Sequence, residues 1–117
     1  MAIPVNITFR HIDPSTAVET RVNELVQHLG QFSDKIKSCR VVIDAPHRHQ
    51  HQGGVYEVKL LVSIPGDDVV VDMSRPQRDG HEDVYVVLRD AFEAARKQLQ
   101  HRMANLRGEP KRRETLE

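Results

Sequence analysis

Residues 55–73 read VYEVKLLVSIPGDDVVVDM and hold the clearest structural signal in the chain. Alternate positions of the first half are apolar, which predicts a strand with one buried face. The side chains on that face are Tyr56, Val58, Leu60, Val62 and Ile64. Pro65 presets φ and Gly66 tolerates a positive φ, so a turn should follow before a further strand at 69–73. The segment therefore predicts a β-hairpin.

Two more strands are predicted upstream of the hairpin by the same two-residue period. Residues 38–46 place Cys39, Val41 and Ile43 on one side, and residues 3–9 alternate between apolar and polar side chains. The polar residues 47–54 separate the second strand from the hairpin. The chain thus supplies four strands.

Helical periodicity occupies the two remaining segments. Asp13 and Pro14 are typical of a helix start, and Gly30 stands where a left-handed C-cap would end the helix. The apolar stripe between them is Val18, Val22, Leu25, Val26 and Leu29. After a polar loop at 74–80, a second stripe predicts a long final helix. Its members are Val84, Leu88, Ala91, Phe92, Ala95, Leu99 and Met103.

These elements predict an α+β fold in the order β-α-β-β-β-α. Strands one and two are joined through a helix and should be parallel, whereas strands two, three and four should form an antiparallel meander. Both helices should pack on one face of this four-stranded mixed sheet, with the other face in water. We expect one domain over residues 1–107 and a disordered basic tail or linker over 108–117.

Composition excludes several classes of protein. The chain has 117 residues, 38% of them hydrophobic and 29% charged, which is too apolar for a disordered protein. Its longest apolar run, residues 84–88, is far too short to span a bilayer, and the first ten residues lack the features of a secretory signal. The single cysteine excludes an intrachain disulfide. We therefore expect a cytoplasmic protein that does not contact membranes.

Positive charge is concentrated near the end of the chain, although the formal net charge is zero. Residues 89–113 hold eight Lys and Arg against three acidic residues, a local charge of +5. Such a segment can bind a polyanion, because phosphate contacts neutralise charge locally. A solvated helix end whose cations complement the helix dipole would have the same composition.

Features that suggest catalysis or metal binding have simpler explanations. His47, His49 and His51 alternate on an extended segment and could hold a metal ion, but a polar loop or phosphate contact at low pH explains them as well. The acidic residues of 81–83 fit the first turn of a helix. Cys39 lies among apolar strand residues with only Arg40 to activate it. No enzyme motif, cofactor or small-molecule substrate is indicated.

The polar side of the last helix is the remaining candidate site. Arg89 with Glu93, and Glu93 with Lys97, have the i,i+4 spacing of ion pairs, while Arg96 and Arg102 are less easily explained in that way. Aromatic residues are too few for a stacking platform on the sheet. RNA binding by this helix would therefore use phosphates and shape.

The sequence resembles the ribosome hibernation promoting factor and ribosome-associated inhibitor family over residues 3–107. The most specific segment is His-Glu-Asp-Val-Tyr at 81–85, followed by Leu88, Asp90 and the Gln98-Leu99 pair. The first helix and the strands that contain residues 41–43, Tyr56 and residues 69–71 come in the element order of that family, β-α-β-β-β-α. Residues 46–49 are similar to a subgroup whose members can carry a cold-shock-type domain after a linker.

The resemblance implies a non-enzymatic stress factor that binds the small ribosomal subunit and its rRNA in the mRNA and tRNA channel, and inhibits translation. The implied rRNA contacts are Arg89, Arg96, Lys97 and Arg102. The first helix departs from the family, because Leu25, His28 and Gln31 stand where cations are expected.

Two alternatives remain open. The first is a general module that recognises duplex RNA by shape. The second is a metal-responsive regulator that uses the three histidines of the loop.

Overall fold

The computed structural model describes residues 3–45, 55–76 and 82–106. Its elements are β1 (Val5–Arg10), α1 (Thr16–Leu29), a 3₁₀ turn (Gly30–Phe32), β2 (Ser38–Asp44), β3 (Val55–Ile64), β4 (Asp67–Pro76) and α2 (Glu82–Leu106). The predicted α+β fold and element order are confirmed. The predicted tail at 108–117 lies outside the described residues, so the domain boundary stays a prediction.

The four strands form one sheet in the order β1-β2-β3-β4. β1 pairs in parallel with β2, with Val5 opposite Cys39, as the crossover through α1 requires. The β2–β3 and β3–β4 pairs are antiparallel. Gly66 has φ 83° in the connection between β3 and β4, a conformation that glycine adopts without a steric penalty. The predicted topology and turn are therefore confirmed.

The core lies between one face of the sheet and the two helices. Val41, Val58, Leu60 and Val62 are at most 1% exposed on the sheet side. The facing helix positions Val22, Val26, Leu88, Ala91, Ala95 and Leu99 are fully buried. The opposite sheet face carries exposed polar side chains such as Arg40, Lys59 and Asp72. Both apolar helix stripes predicted from the sequence thus pack where expected.

The predicted start of α1 and the predicted left-handed conformation of its C-cap were wrong, whereas the predicted end of the helix near residue 30 is confirmed. The side chain of Ser15, not Asp13, caps α1 by accepting a hydrogen bond from the Val18 amide at 3.2 Å, so the helix begins at Thr16 rather than at Pro14. Gly30 has φ −61° and is right-handed, because the chain continues into the 3₁₀ turn instead of reversing. The preferences of Asp and Gly for these positions were overridden by a better-placed serine and a tighter last turn.

Other boundaries differ by a few residues at element ends. β4 extends over Asp67–Pro76 because its pairing with β3 continues on both sides of the apolar residues 69–73. His11, which follows β1, has φ 60°, and its Nδ1 lies 2.9 Å from Oδ1 of Asp44 on β2. None of the helices in the described ranges is long and apolar enough to cross a membrane.

Candidate nucleic-acid interface

The four cations predicted as RNA contacts all lie on α2, but they point to different surroundings. Arg89 and Arg96 are two helical turns apart and share the side that faces α1. Lys97 is exposed, and no ion pair of its ammonium is found within the described ranges. Arg102 reaches Asp67 at the start of β4. The structure therefore brings Arg89 and Arg96 together and separates them from Arg102.

Arg96 is held by three neighbours. Its Nε donates to Glu93 Oε1 at 3.2 Å, its Nη2 donates to the other oxygen of Glu93, and its Nη1 donates to Gln100 Oε1 at 2.8 Å. Its guanidinium carbon lies 5.6 Å from the centre of the Phe32 ring, a cation–π geometry. The hydrogen bond from Arg96 lowers the pKa of Glu93, and the same bond raises the pKa of Arg96. The pair is therefore fully ionised at neutral pH.

The ion pairs on α2 differ from those expected from spacing alone. Glu93 pairs with Arg96 at i,i+3, rather than with Arg89 or Lys97 at i,i+4. Arg89 instead contacts Asp90, with Nη2 3.2 Å from Oδ1. Glu93 turns toward Arg96 because the guanidinium offers two parallel donors, which suit a carboxylate better than a single ammonium does.

Arg102 joins α2 to the first residues of β4. Its Nη1 lies 2.8 Å from Asp67 Oδ2 and donates to the Asp68 carbonyl oxygen at 2.7 Å. Only 29% of the Arg102 side chain is exposed, compared with 68% for Arg89. This arginine stabilises the packing of helix on sheet, a role that its sequence position did not indicate.

An interhelical groove of about 350 Å³ separates α1 from α2. Its lining consists of Arg21, Leu25, His28, Leu29, Phe32, Arg89, Phe92, Glu93 and Arg96. Leu29 and Phe92 are buried and form an apolar floor. Three arginines and one acidic residue give the lining a net positive charge with histidine neutral. The groove can therefore accept an anionic ligand that also has an apolar part.

Sequence reasoning missed the part that Phe32 plays in this groove. The ring of Phe32 meets that of His28 edge-on, with centroids 5.7 Å apart and an interplanar angle of 83°. Their i,i+4 spacing was a signal for this contact, but the contact of Phe32 with Arg96 depends on how the two helices pack. Arg21 on α1 also borders the groove and pairs with Glu24 at 3.2 Å.

Neither the metal nor the cysteine hypothesis gains support from the described residues. His47, His49 and His51 lie outside the described ranges, and no group of metal-ligating side chains is found within those ranges. Cys39 is 2% exposed, and burial raises its pKa to about 12. A thiol held neutral in this way is a core side chain rather than a nucleophile.

Comparison with solved structures finds the same fold in bacterial proteins. The Protein Y N-terminal domain of Thermus thermophilus matches with a TM-score of 0.67 and 19% identity, covering 86% of this chain and 98% of that domain. A ribosomal subunit interface protein from Coxiella burnetii matches with a TM-score of 0.63 and 14% identity, covering 87% and 99%.

Comparison of the sequence itself gives a match at the level of the family. No curated protein sequence matches the chain significantly. Residues 5–107 match the model of the family described as sigma 54 modulation protein / S30EA ribosomal protein. This match spans every element of the described fold, from β1 to the end of α2. The chain therefore belongs to the sigma 54 modulation protein / S30EA ribosomal protein family.

Proposed function

We propose that this protein is a non-enzymatic cytoplasmic factor that binds the small ribosomal subunit near the mRNA and tRNA channel and inhibits translation under stress. Its direct partner there is rRNA. The family description names a ribosomal protein, and one structural neighbour is a ribosomal subunit interface protein. Both descriptions support a ribosomal partner.

The observation that carries the proposal is the exposed basic surface of α2. Arg89 and Lys97 are the most exposed of the four cations: 68% of the Arg89 side chain is exposed although it contacts Asp90, and Lys97 is exposed as well. Only 26% of Arg96 and 29% of Arg102 are exposed. We therefore assign the main phosphate contacts to Arg89 and Lys97. Arg96 and Arg102 remain part of the proposed interface, with weaker direct contributions to phosphate binding.

Intramolecular acids compete with phosphate for several of these cations. Arg21 pairs with Glu24, Arg89 with Asp90 and Arg96 with Glu93. An RNA phosphate must displace or share these carboxylates, whereas Lys97 needs no such exchange with a described acidic group. Binding should accordingly depend strongly on salt, and a change at Lys97 should remove more affinity than a change at Arg102.

The test is co-sedimentation of the protein with small ribosomal subunits at several salt concentrations. A Lys97→Glu variant should lose most of the bound fraction, and Lys97→Gln should lower the slope of log K against log salt by about 0.7–0.9, the contribution of one phosphate contact. Lys59→Glu is the matched control, because Lys59 is exposed on the sheet face opposite the helices. It should bind like the unmodified protein.

Equal loss of binding in the Lys59 and Lys97 variants would contradict an interface on α2. Protein-free duplex RNA provides a second comparison, because a shape-reading module would bind it as tightly as the subunit. Added protein should lower translation in a cell-free system, whereas the Lys97→Glu variant, added at the same concentration, should leave translation largely unchanged. Binding without inhibition would refute the proposed effect on translation.

A further inference from the structure

The interhelical groove offers more than a charged surface. Three of the five N–H donors of Arg96 are already used, two by Glu93 and one by Gln100. Its guanidinium lies over the Phe32 ring, and 26% of its side chain remains exposed at the groove. Such a group is poorly placed to bind a phosphate with paired donors, but its planar surface is held in a fixed position.

A fixed guanidinium plane is a stacking surface for a nucleobase. Unpaired RNA bases stack on arginine planes as well as on aromatic rings, and such stacking tolerates any base. We infer that Arg96, supported by Phe32, is the stacking platform for an unpaired RNA base that enters the groove between α1 and α2. This inference rests on the proposed function and assigns Arg96 a role other than phosphate contact.

The rest of the groove fits one nucleotide of a chain. The apolar floor of Leu29 and Phe92 lies beneath the space that a base would fill. On α1, Arg21 lies seven residues before His28, and on α2, Arg89 lies seven residues before Arg96. Each of these arginines is therefore about 10 Å along its helix from the Arg96 end of the groove. They are positioned to meet the backbone phosphate of that nucleotide. The volume of about 350 Å³ lies at the small end of ligand clefts.

The test compares two labelled single-stranded chains of equal length by fluorescence anisotropy: oligoadenylate, and an abasic ribose-phosphate chain. The unmodified protein should bind oligoadenylate more tightly. Arg96→Lys keeps the charge and loses the plane, so it should weaken oligoadenylate binding about fivefold or more. Its affinity for the abasic chain and its salt slope should not change. Arg40→Lys, on the opposite sheet face, should affect neither chain.

A second variant tests the support of the platform. Phe32→Leu keeps the apolar volume and the charge of Arg96 but removes the ring that positions it, so the preference for oligoadenylate should shrink. Thermal melting followed by circular dichroism would show that both variants remain folded. Equal binding of the two chains by the unmodified protein, or an equal loss for both chains in Arg96→Lys, would overturn the inference.

The outcome is separable from that of the proposed function. If the protein does not sediment with ribosomal subunits, the proposed function fails, whereas the comparison of the two chains still reports on the groove. If the protein sediments with ribosomal subunits and Arg96→Lys keeps the full preference for oligoadenylate over the abasic chain, only the stacking role fails. Adenosine monophosphate that binds as tightly as oligoadenylate would assign the groove to a free nucleotide and overturn its assignment to RNA.

Discussion

The contact of Arg102 with the start of β4 predicts an effect on stability, where its charge alone would suggest an effect on RNA binding. Arg102→Gln removes the ion pair with Asp67 and the hydrogen bond to the Asp68 carbonyl. An exposed ion pair contributes up to about 1 kcal/mol, and a hydrogen bond from a charged donor contributes more. Because Asp67 is 67% exposed, solvent screening reduces both contributions. We expect a loss of about 1–1.5 kcal/mol.

The assay is thermal unfolding followed by circular dichroism, in parallel with subunit co-sedimentation. For a domain of this size, the expected loss lowers Tm by roughly 4–8 °C. Arg89→Gln is the matched control on the same helix, because Arg89 is 68% exposed and contacts only its own helix in the described ion pairs. Its Tm should change by less than that of Arg102→Gln.

A double-mutant cycle identifies the partner of Arg102. Because the two side chains pair, Arg102→Gln and Asp67→Asn together should lower the free energy of unfolding by less than the sum of the two single changes. The reasoning would be refuted if Arg102→Gln left Tm unchanged and instead reduced subunit binding as strongly as Lys97→Gln. That result would make Arg102 an RNA contact rather than a helix-to-sheet contact.

Three other predictions concern the core and the turns. Because burial raises the pKa of Cys39 to about 12, its thiol should resist a disulfide reagent at pH 8 until the protein is unfolded. The contribution of the neutral thiol to folding stability should be complete below about pH 9 and should be lost as the pH rises toward 12. In denaturant titrations, Gly66→Ala should lower the free energy of unfolding by about 1 kcal/mol, because its φ of 83° strains a residue with a side chain. Gly30→Ala should lower it by less, because φ is −61° and the added methyl group would meet only the end of the Ile3 side chain, at 2.8 Å. Leu60→Ala should cost about 2–5 kcal/mol in the same titrations, since Leu60 is 1% exposed at the centre of the sheet, and a loss below 1 kcal/mol would contradict the described packing.

Periodicity was sufficient to predict the topology of this protein. The two-residue alternation of β3 and the 3.6-residue stripe of α2 each persist over ten or more residues, so they identify the buried faces directly. Boundaries were less accessible, because Asp13 and Ser15 are both good caps and only the path of the chain selects between them. Histidine adopts a positive φ more often than most residues, but that preference is too weak to have predicted the φ of 60° at His11.

The candidate site was predictable in residue type but not in contacts. Charge counting identified the cations of α2, yet it treated Arg96 and Arg102 as equivalent. What distinguishes them is tertiary: Arg96 meets Phe32 across the interhelical groove, and Arg102 meets Asp67 on the sheet side. Side chains of this length reach several neighbours, and sequence spacing specifies only those on the same helix.

The linear strand order leaves β1 and β4 as the two outer strands, each with a row of backbone groups that another chain could extend. Pro4, just before β1, lacks an N–H, and Arg10 ends that strand with a charge. β4 carries the exposed acidic side chains Asp67, Asp68 and Asp72. These like charges oppose the edge-to-edge approach of two copies of this strand, so the fold should resist templated β aggregation at high protein concentration.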